Sequence, residues 1–205
     1  MHPEIETLKM YSDYKSPYAF LGFDPAFALE ARYRIRVRWI PFQLRIKGKG
    51  ERSEYSEFKV KYSYVDARRW ANLRGGIVLK GPRKIYDSTP ALIGGLFADR
   101  HGKLVDYSRD VFTRFFRREL EIDEPAAVAG VLADHGLSPD AYRDYLAGEG
   151  REAYERAQEE ARADHVFGVP LFLFRGEQFW GNDRIEFLES RLRDAGLESK
   201  GDESA

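Results

Sequence analysis

The sequence predicts an α/β core interrupted by an all-α insertion, and three observations carry that prediction. The first 45 residues read as strand, helix, strand; about 120 residues follow with helical character only; the last 40 return to a strand hairpin and a helix. Split α/β halves flanking a helical block imply an insertion within one α/β fold. The core is thus expected over residues 1–45 and 166–205, and the helical insertion over 46–165.

Each element has its own signal. Residues Ile5 to Tyr11 are β-prone and end at the polar run Ser12-Asp13-Tyr14-Lys15. Ser16-Pro17 pairs an N-cap residue with proline at the first helical position. Tyr18, Leu21 and Leu29 form an apolar stripe toward Arg32, and Asp24-Pro25 repeats the start signal, so a kink or restart is expected there. Arg34 to Ile40 alternates Arg34, Arg36 and Arg38 with Ile35, Val37 and Trp39, a period of two with one buried face.

Lys47-Gly48-Lys49-Gly50 reads as a linker. Helices are expected over Glu54 to Leu73, from Ser88-Thr89-Pro90 to Gly102, over Val105 to Leu120, from Glu124-Pro125, from Ser138-Pro139, and over Arg151 to Asp164. Leu171 to Phe174 and Glu177 to Trp180 read as strands joined by the tight turn Arg175-Gly176. Asn182 is the expected cap of a last helix carrying Ile185, Leu188, Leu192 and Ala195, and a polar, frayed tail is expected from Glu198.

Composition narrows the chemistry. There is no cysteine, which removes disulfides, thiolate nucleophiles, cysteine zinc sites and iron–sulfur clusters. The 33 basic and 34 acidic residues balance, so no electrostatic footprint for nucleic acid is expected. No apolar run approaches the roughly 20 residues of a membrane-spanning helix, and the N-terminus lacks the pattern of a secretory signal, so the expected location is cytoplasmic. No Gly-x-Ser-x-Gly elbow surrounds Ser16, and the four histidines lack metal-ligand spacing, so neither a serine-hydrolase triad nor a metal site is expected.

Three motifs now stand out: Asp13-Tyr14-Lys15-Ser16-Pro17-Tyr18-Ala19 after the first strand, Phe167-Gly168-Val169-Pro170 before the third, and Gly181-Asn182-Asp183-Arg184 after the hairpin. Together they resemble the kappa-class glutathione transferase and 2-hydroxychromene-2-carboxylate isomerase family, a branch of the DsbA-like thioredoxin superfamily. The resemblance implies a thioredoxin-like core, glutathione as cofactor, a small organic substrate, and a homodimer. It places Ser16, with Pro17 and Tyr18, at the glutathione sulfur, and Ser16 becomes the candidate catalytic residue. It places Val169 and a cis Pro170 beside the cysteinyl backbone, and Asn182 and Asp183 at the γ-glutamyl end. Lys59, in Lys59-x-x-Tyr62-x-x-x-Asp66, resembles the lysine that reaches the glycine carboxylate, with Lys61 as the alternative. The chain departs from many members in having no asparagine between Gly48 and Tyr55.

Read singly, Ser16 and Asn182 are helix caps and Val169-Pro170 a turn. Tyr14 and Trp180 adjoin the motifs and are candidates for lining an aromatic substrate site, whereas Phe112 to Phe116 suits a core or a dimer contact. A thiol with pKa near about 8.5 needs about 2.7 kcal/mol to shift two units down. A charged hydrogen bond supplies about 1.5–3 kcal/mol, and a helix dipole about 0.3–2. Ser16 at a helix N-terminus is therefore expected to stabilise a thiolate brought by glutathione. A glutathione-dependent isomerase or transferase is the leading expectation, and a non-catalytic thioredoxin-fold binding protein the alternative.

Overall fold

The computed structural model describes residues 5–45 and 54–199. The Lys47–Gly50 linker and the tail beyond residue 199 lie outside them. The chain runs β1 (Glu6–Ser12), α1 (Pro17–Phe27), a 3-10 turn (Ala28–Ala31) and β2 (Ile35–Pro41). Next come α2 (Glu54–Leu73), α3 (Thr89–Arg100), α4 (Leu104–Arg117), α5 (Pro125–Asp134), α6 (Pro139–Ala147) and α7 (Glu149–Ala163). It closes with β3 (Leu171–Phe174), β4 (Glu177–Trp180) and α8 (Ile185–Asp194). Among the described residues, no helix is long and apolar enough to cross a membrane.

The sheet order is β2-β1-β3-β4. β1 and β2 are parallel, with Met10 opposite Trp39, while β3 runs antiparallel to β1 and β4 to β3. In β2 the alternation resolves as expected: Ile35, Val37 and Trp39 are buried while Arg36 and Arg38 are exposed. The two faces of β1 enter different cores. Leu8 and Met10 join the main apolar cluster with Trp39, Ile93 and Phe112, so sheet and helical segment share one interior. Tyr11 faces the other way, into a smaller cluster with Ile40, Ala157 and Ala161 under α7. Phe112, Phe115 and Phe116 are core residues: Phe20 stacks on Phe112 and Phe116 with centroids 5.3 and 5.4 Å away.

Two expectations are corrected. α1 runs through Pro25 without restarting. Proline at that position removes the N–H that would bond to the Leu21 carbonyl. The Arg74 guanidinium at the end of α2 supplies the missing donor. The final helix is not capped by Asn182, because it begins at Ile185 with Arg184 in the cap position. The chain also stays fastened past α8: the Ser199 N–H donates to the Arg32 carbonyl at 2.9 Å, and Tyr33 bridges Glu198.

Beneath α7, Glu160 accepts two bonds from Arg38 at 2.7 and 2.6 Å and pairs with Lys9 at 2.8 Å, while Asp164 accepts from Lys9 and Tyr11. Burial opposes ionisation of both carboxyls, but these donors outweigh it and hold both pKa values below the ordinary range. A depressed carboxyl contributes stability that is present above its unfolded pKa and is lost as pH falls through the folded one. Urea midpoints are therefore expected to drop below about pH 4.5, the reference glutamate range, and Lys9→Met should flatten that drop. An acid limb equally steep in the variant counts against this network.

Candidate functional site

The site begins where α1 meets the loop before β3. Ser16 caps α1 from an extended backbone, its Oγ accepting from the Ala19 N–H at 3.1 Å. The same hydroxyl donates to the Val169 carbonyl at 3.1 Å, and the Val169–Pro170 bond is cis. In the first turn Pro17 has no N–H and the Phe20 N–H goes to the Ser16 carbonyl. The Tyr18 N–H is left without an acceptor among the described residues. An orphan N–H at a helix N-terminus, together with the helix dipole, favours an anion there.

Three segments are drawn against this point. Gly22 lets α1 approach closely, since a Cβ there would lie 3.3 Å from Pro170 and 3.5 Å from Asn182. The Gly181 N–H donates to the Pro170 carbonyl at 3.0 Å. Gly181 has φ 120, where any Cβ would overlap the Asp183 carboxylate, so only glycine suits this turn. Arg74 reaches from the Leu21 carbonyl toward the Asn182 carbonyl at 3.4 Å, tying α1 and α2 to the Gly181–Arg184 turn.

Two adjoining chambers open beside Ser16. One, of about 320 Å³, is bordered by Tyr18, Lys59, Tyr62, Asp66, Asn182 and Asp183, with Trp70 and Arg184 nearby. It carries both signs of charge. The other, of about 340 Å³, is lined by Ser16, Lys15, Tyr64, Ile85, Phe115 and Phe167 among others, and its wall is mostly apolar. Tyr18, Lys59, Ser63, Val169 and Trp180 border both chambers. Burial, reinforced by Asp66, which accepts from the Tyr18 hydroxyl at 2.9 Å, raises the Tyr18 pKa and keeps it protonated. Asn182 is 3% exposed, and its side-chain amide nitrogen has no partner among the described residues.

The structure thus brings together Ser16, Pro17, Tyr18, Lys59, Val169, Asn182, Asp183 and Trp180, with Pro170 directly behind them. Lys59 borders both chambers, whereas Lys61 borders neither. Tyr14 is the exception: it is fully buried, its hydroxyl bonded to Ser108 at 2.8 Å and its ring set against Trp39 and Phe112. It belongs to the core because Asp13 draws the post-β1 loop inward. Sequence reasoning did not assign Tyr62, Asp66, Lys15 or Phe167 to the cleft. Phe167 had a usable signal, lying beside Gly168 in the loop before Pro170; it is 63% exposed and its ring meets Trp180 at 5.0 Å.

Asp13 underlies the arrangement. Its two oxygens accept from the N–H groups of Lys15 at 3.0 Å and Leu44 at 2.7 Å, and the Lys15 ammonium lies 3.6 Å away. Complete burial pushes this carboxyl up, while Lys15 and the two backbone donors oppose the rise.

The profile of the DSBA-like thioredoxin domain matches residues 7–193. A 2-hydroxychromene-2-carboxylate isomerase of Pseudomonas putida is 29% identical over 188 residues, covering 89% of this chain and 92% of that protein. A protein of the same name from Sphingobium xenophagum is 25% identical over 92% of this chain and 99% of its own length. Among solved structures, a 2-hydroxychromene-2-carboxylate isomerase superposes with a TM-score of 0.77 at 25% identity, covering 93% of this chain and 96% of that one.

Proposed function

Because the chain belongs to the DSBA-like thioredoxin domain family, we propose that it is a glutathione-dependent isomerase acting on a small aromatic substrate. The observation that carries this reading is the anion-favouring point at Ser16 and Tyr18, set where a doubly charged chamber joins an apolar one. The names of the similar proteins favour isomerisation over transfer.

The residues present fit glutathione. A zwitterionic tripeptide matches a chamber with cations at Lys59 and Arg184 and carboxylates at Asp66 and Asp183. The orphan Tyr18 N–H and the unpartnered Asn182 amide are donors left open for a ligand. On this reading Lys59 would take the glycine carboxylate and Asp183 the γ-glutamyl ammonium, and both border the charged chamber. When bound, glutathione would supply a thiolate nucleophile, and Ser16 and the α1 N-terminus would stabilise its charge. Trp180 and Phe167, which both border the apolar chamber, would pack against an aromatic ring held there.

Calorimetric titration tests the cofactor. Binding between micromolar and low millimolar Kd supports the reading; none at about 10 mM overturns it and favours a non-catalytic binding protein. Lys59→Met is expected to weaken glutathione about fivefold, an exposed charge pair being worth up to about 1 kcal/mol. Lys61→Met should leave affinity unchanged. Equal effects in the two variants would remove Lys59 from the site.

A further inference from the structure

Resting on the isomerase reading, we propose that Lys15 is the residue by which the apolar chamber selects an anionic aromatic substrate and orients its carboxylate. Its neighbour Ser16 would act on the thiol; Lys15 acts on the other molecule.

The first observation is the segregation of charge. Among the described residues, the apolar chamber is bordered by three lysines, Lys15, Lys59 and Lys84, and by no carboxylate. In a chain whose charges balance overall, a cavity wall with cations only discriminates against cationic and in favour of anionic guests. The second observation separates the three. Lys84 is held by Asp123 at 2.8 Å and Glu121 at 3.4 Å, which neutralise it. Lys59 is shared with the zwitterionic chamber and is exposed to solvent. Lys15 alone among them is buried, at 7% exposure.

The third observation is how Lys15 is held. Its ammonium donates to the Leu44 carbonyl at 2.8 Å and faces Asp13 at 3.6 Å, beyond a good hydrogen bond. An ammonium has three donors, so capacity remains for a guest. Asp13 is fully buried and is not part of the chamber wall, whereas Lys15 is. Leu44, whose carbonyl holds the ammonium, also borders the chamber, so the cation is the member of the pair set nearer the cavity wall, in a low-dielectric setting that strengthens its pull. Purely structural neutralisation of Asp13 needs no lysine on the cavity surface.

The test is direct binding of cinnamate and its neutral amide, cinnamamide, followed calorimetrically without glutathione. The wild-type chain is expected to prefer cinnamate by at least about 10-fold, equivalent to 1.4 kcal/mol. Lys15→Met should erase that preference while leaving cinnamamide affinity unchanged, and Lys15→Arg and Lys84→Met should retain it. Urea midpoints confirm that each variant is folded; Lys15→Arg reports on the charge even where Lys15→Met is destabilised. A preference that survives Lys15→Met, equal affinity for the two probes, or no binding of either overturns the proposal. Glutathione titration of the same samples separates this outcome from failure of the cofactor reading, because neither probe needs glutathione.

Discussion

Asp13→Ala is expected to cost about 3–5 kcal/mol, the range for breaking a buried ion pair from one side, out of a total that is about 5–15 kcal/mol for ordinary proteins. The carboxylate does two jobs. It compensates the buried Lys15 ammonium, and it is the acceptor for the Lys15 and Leu44 N–H groups that close the post-β1 loop onto the end of β2. Alanine leaves a buried cation and two orphan donors together. At a urea slope of about 2 kcal/mol/M, the midpoint should fall by about 2 M.

The partner substitution should be milder. Lys15→Met leaves both N–H acceptors in place, and burial already pushes the Asp13 carboxyl up, so it can take a proton. Its expected cost is about 1–3 kcal/mol, that of one polar group left unsatisfied. The pH dependence has a definite sign. A carboxyl whose folded pKa exceeds its unfolded one binds more protons when native, so stability falls as pH rises between the two values. Lys15→Met should therefore lose more stability at the high-pH end of that interval than at the low-pH end. A Lys15→Met loss equal to that of Asp13→Ala, or one independent of pH, would contradict this division of labour.

The features legible in the sequence are those whose signal is local. Ser16-Pro17 and Ser138-Pro139 announced their helices because capping and a fixed φ act within one turn, and both serines do accept the N–H expected of a cap. The alternation in β2 and the Arg175-Gly176 turn are equally short-range. What was missed is long-range. Pro25 pointed to a kink or a restart, and the helix does not restart because its rescue comes from Arg74, 53 positions beyond the carbonyl it satisfies. Tyr14 looked like a pocket residue by adjacency to Ser16, yet Ser108 on α4 claims its hydroxyl. Asn182 was given a helix cap two residues early, because the tight Gly181 turn is set by packing on Pro170 rather than by the helix. Ser16, Lys59, Val169 and Asp183 were placed together by resemblance, and the fold supplied the second, apolar chamber that no local pattern encodes.

Ser16→Ala is expected to lower turnover at neutral pH by about 10- to 150-fold, the equivalent of one charged hydrogen bond of about 1.5–3 kcal/mol. The geometry adds a condition. With no ligand the Ser16 hydroxyl donates to Val169, so serving a thiolate means exchanging that acceptor while Oγ goes on accepting from Ala19. The freed Val169 carbonyl then becomes available to an N–H of the bound peptide, which couples ligand docking to delivery of the donor. Loss of the hydroxyl should raise the bound thiol pKa and shift the rate–pH profile to higher pH, with glutathione affinity changed little. Because alanine also removes the cap, at about 0.5–2 kcal/mol of stability, Ser16→Asp is the stringent control. Aspartate still accepts from the Ala19 N–H, but it has no proton to give to the Val169 carbonyl or to a thiolate, and it repels the latter. It should equal or exceed alanine in lost turnover, while its urea midpoint reports separately what the retained cap and the lost Val169 bond contribute. If Ser16→Asp is active, or the rate–pH profile of Ser16→Ala does not move, the hydroxyl is only a cap and the thiolate is stabilised by the Tyr18 N–H and the helix alone.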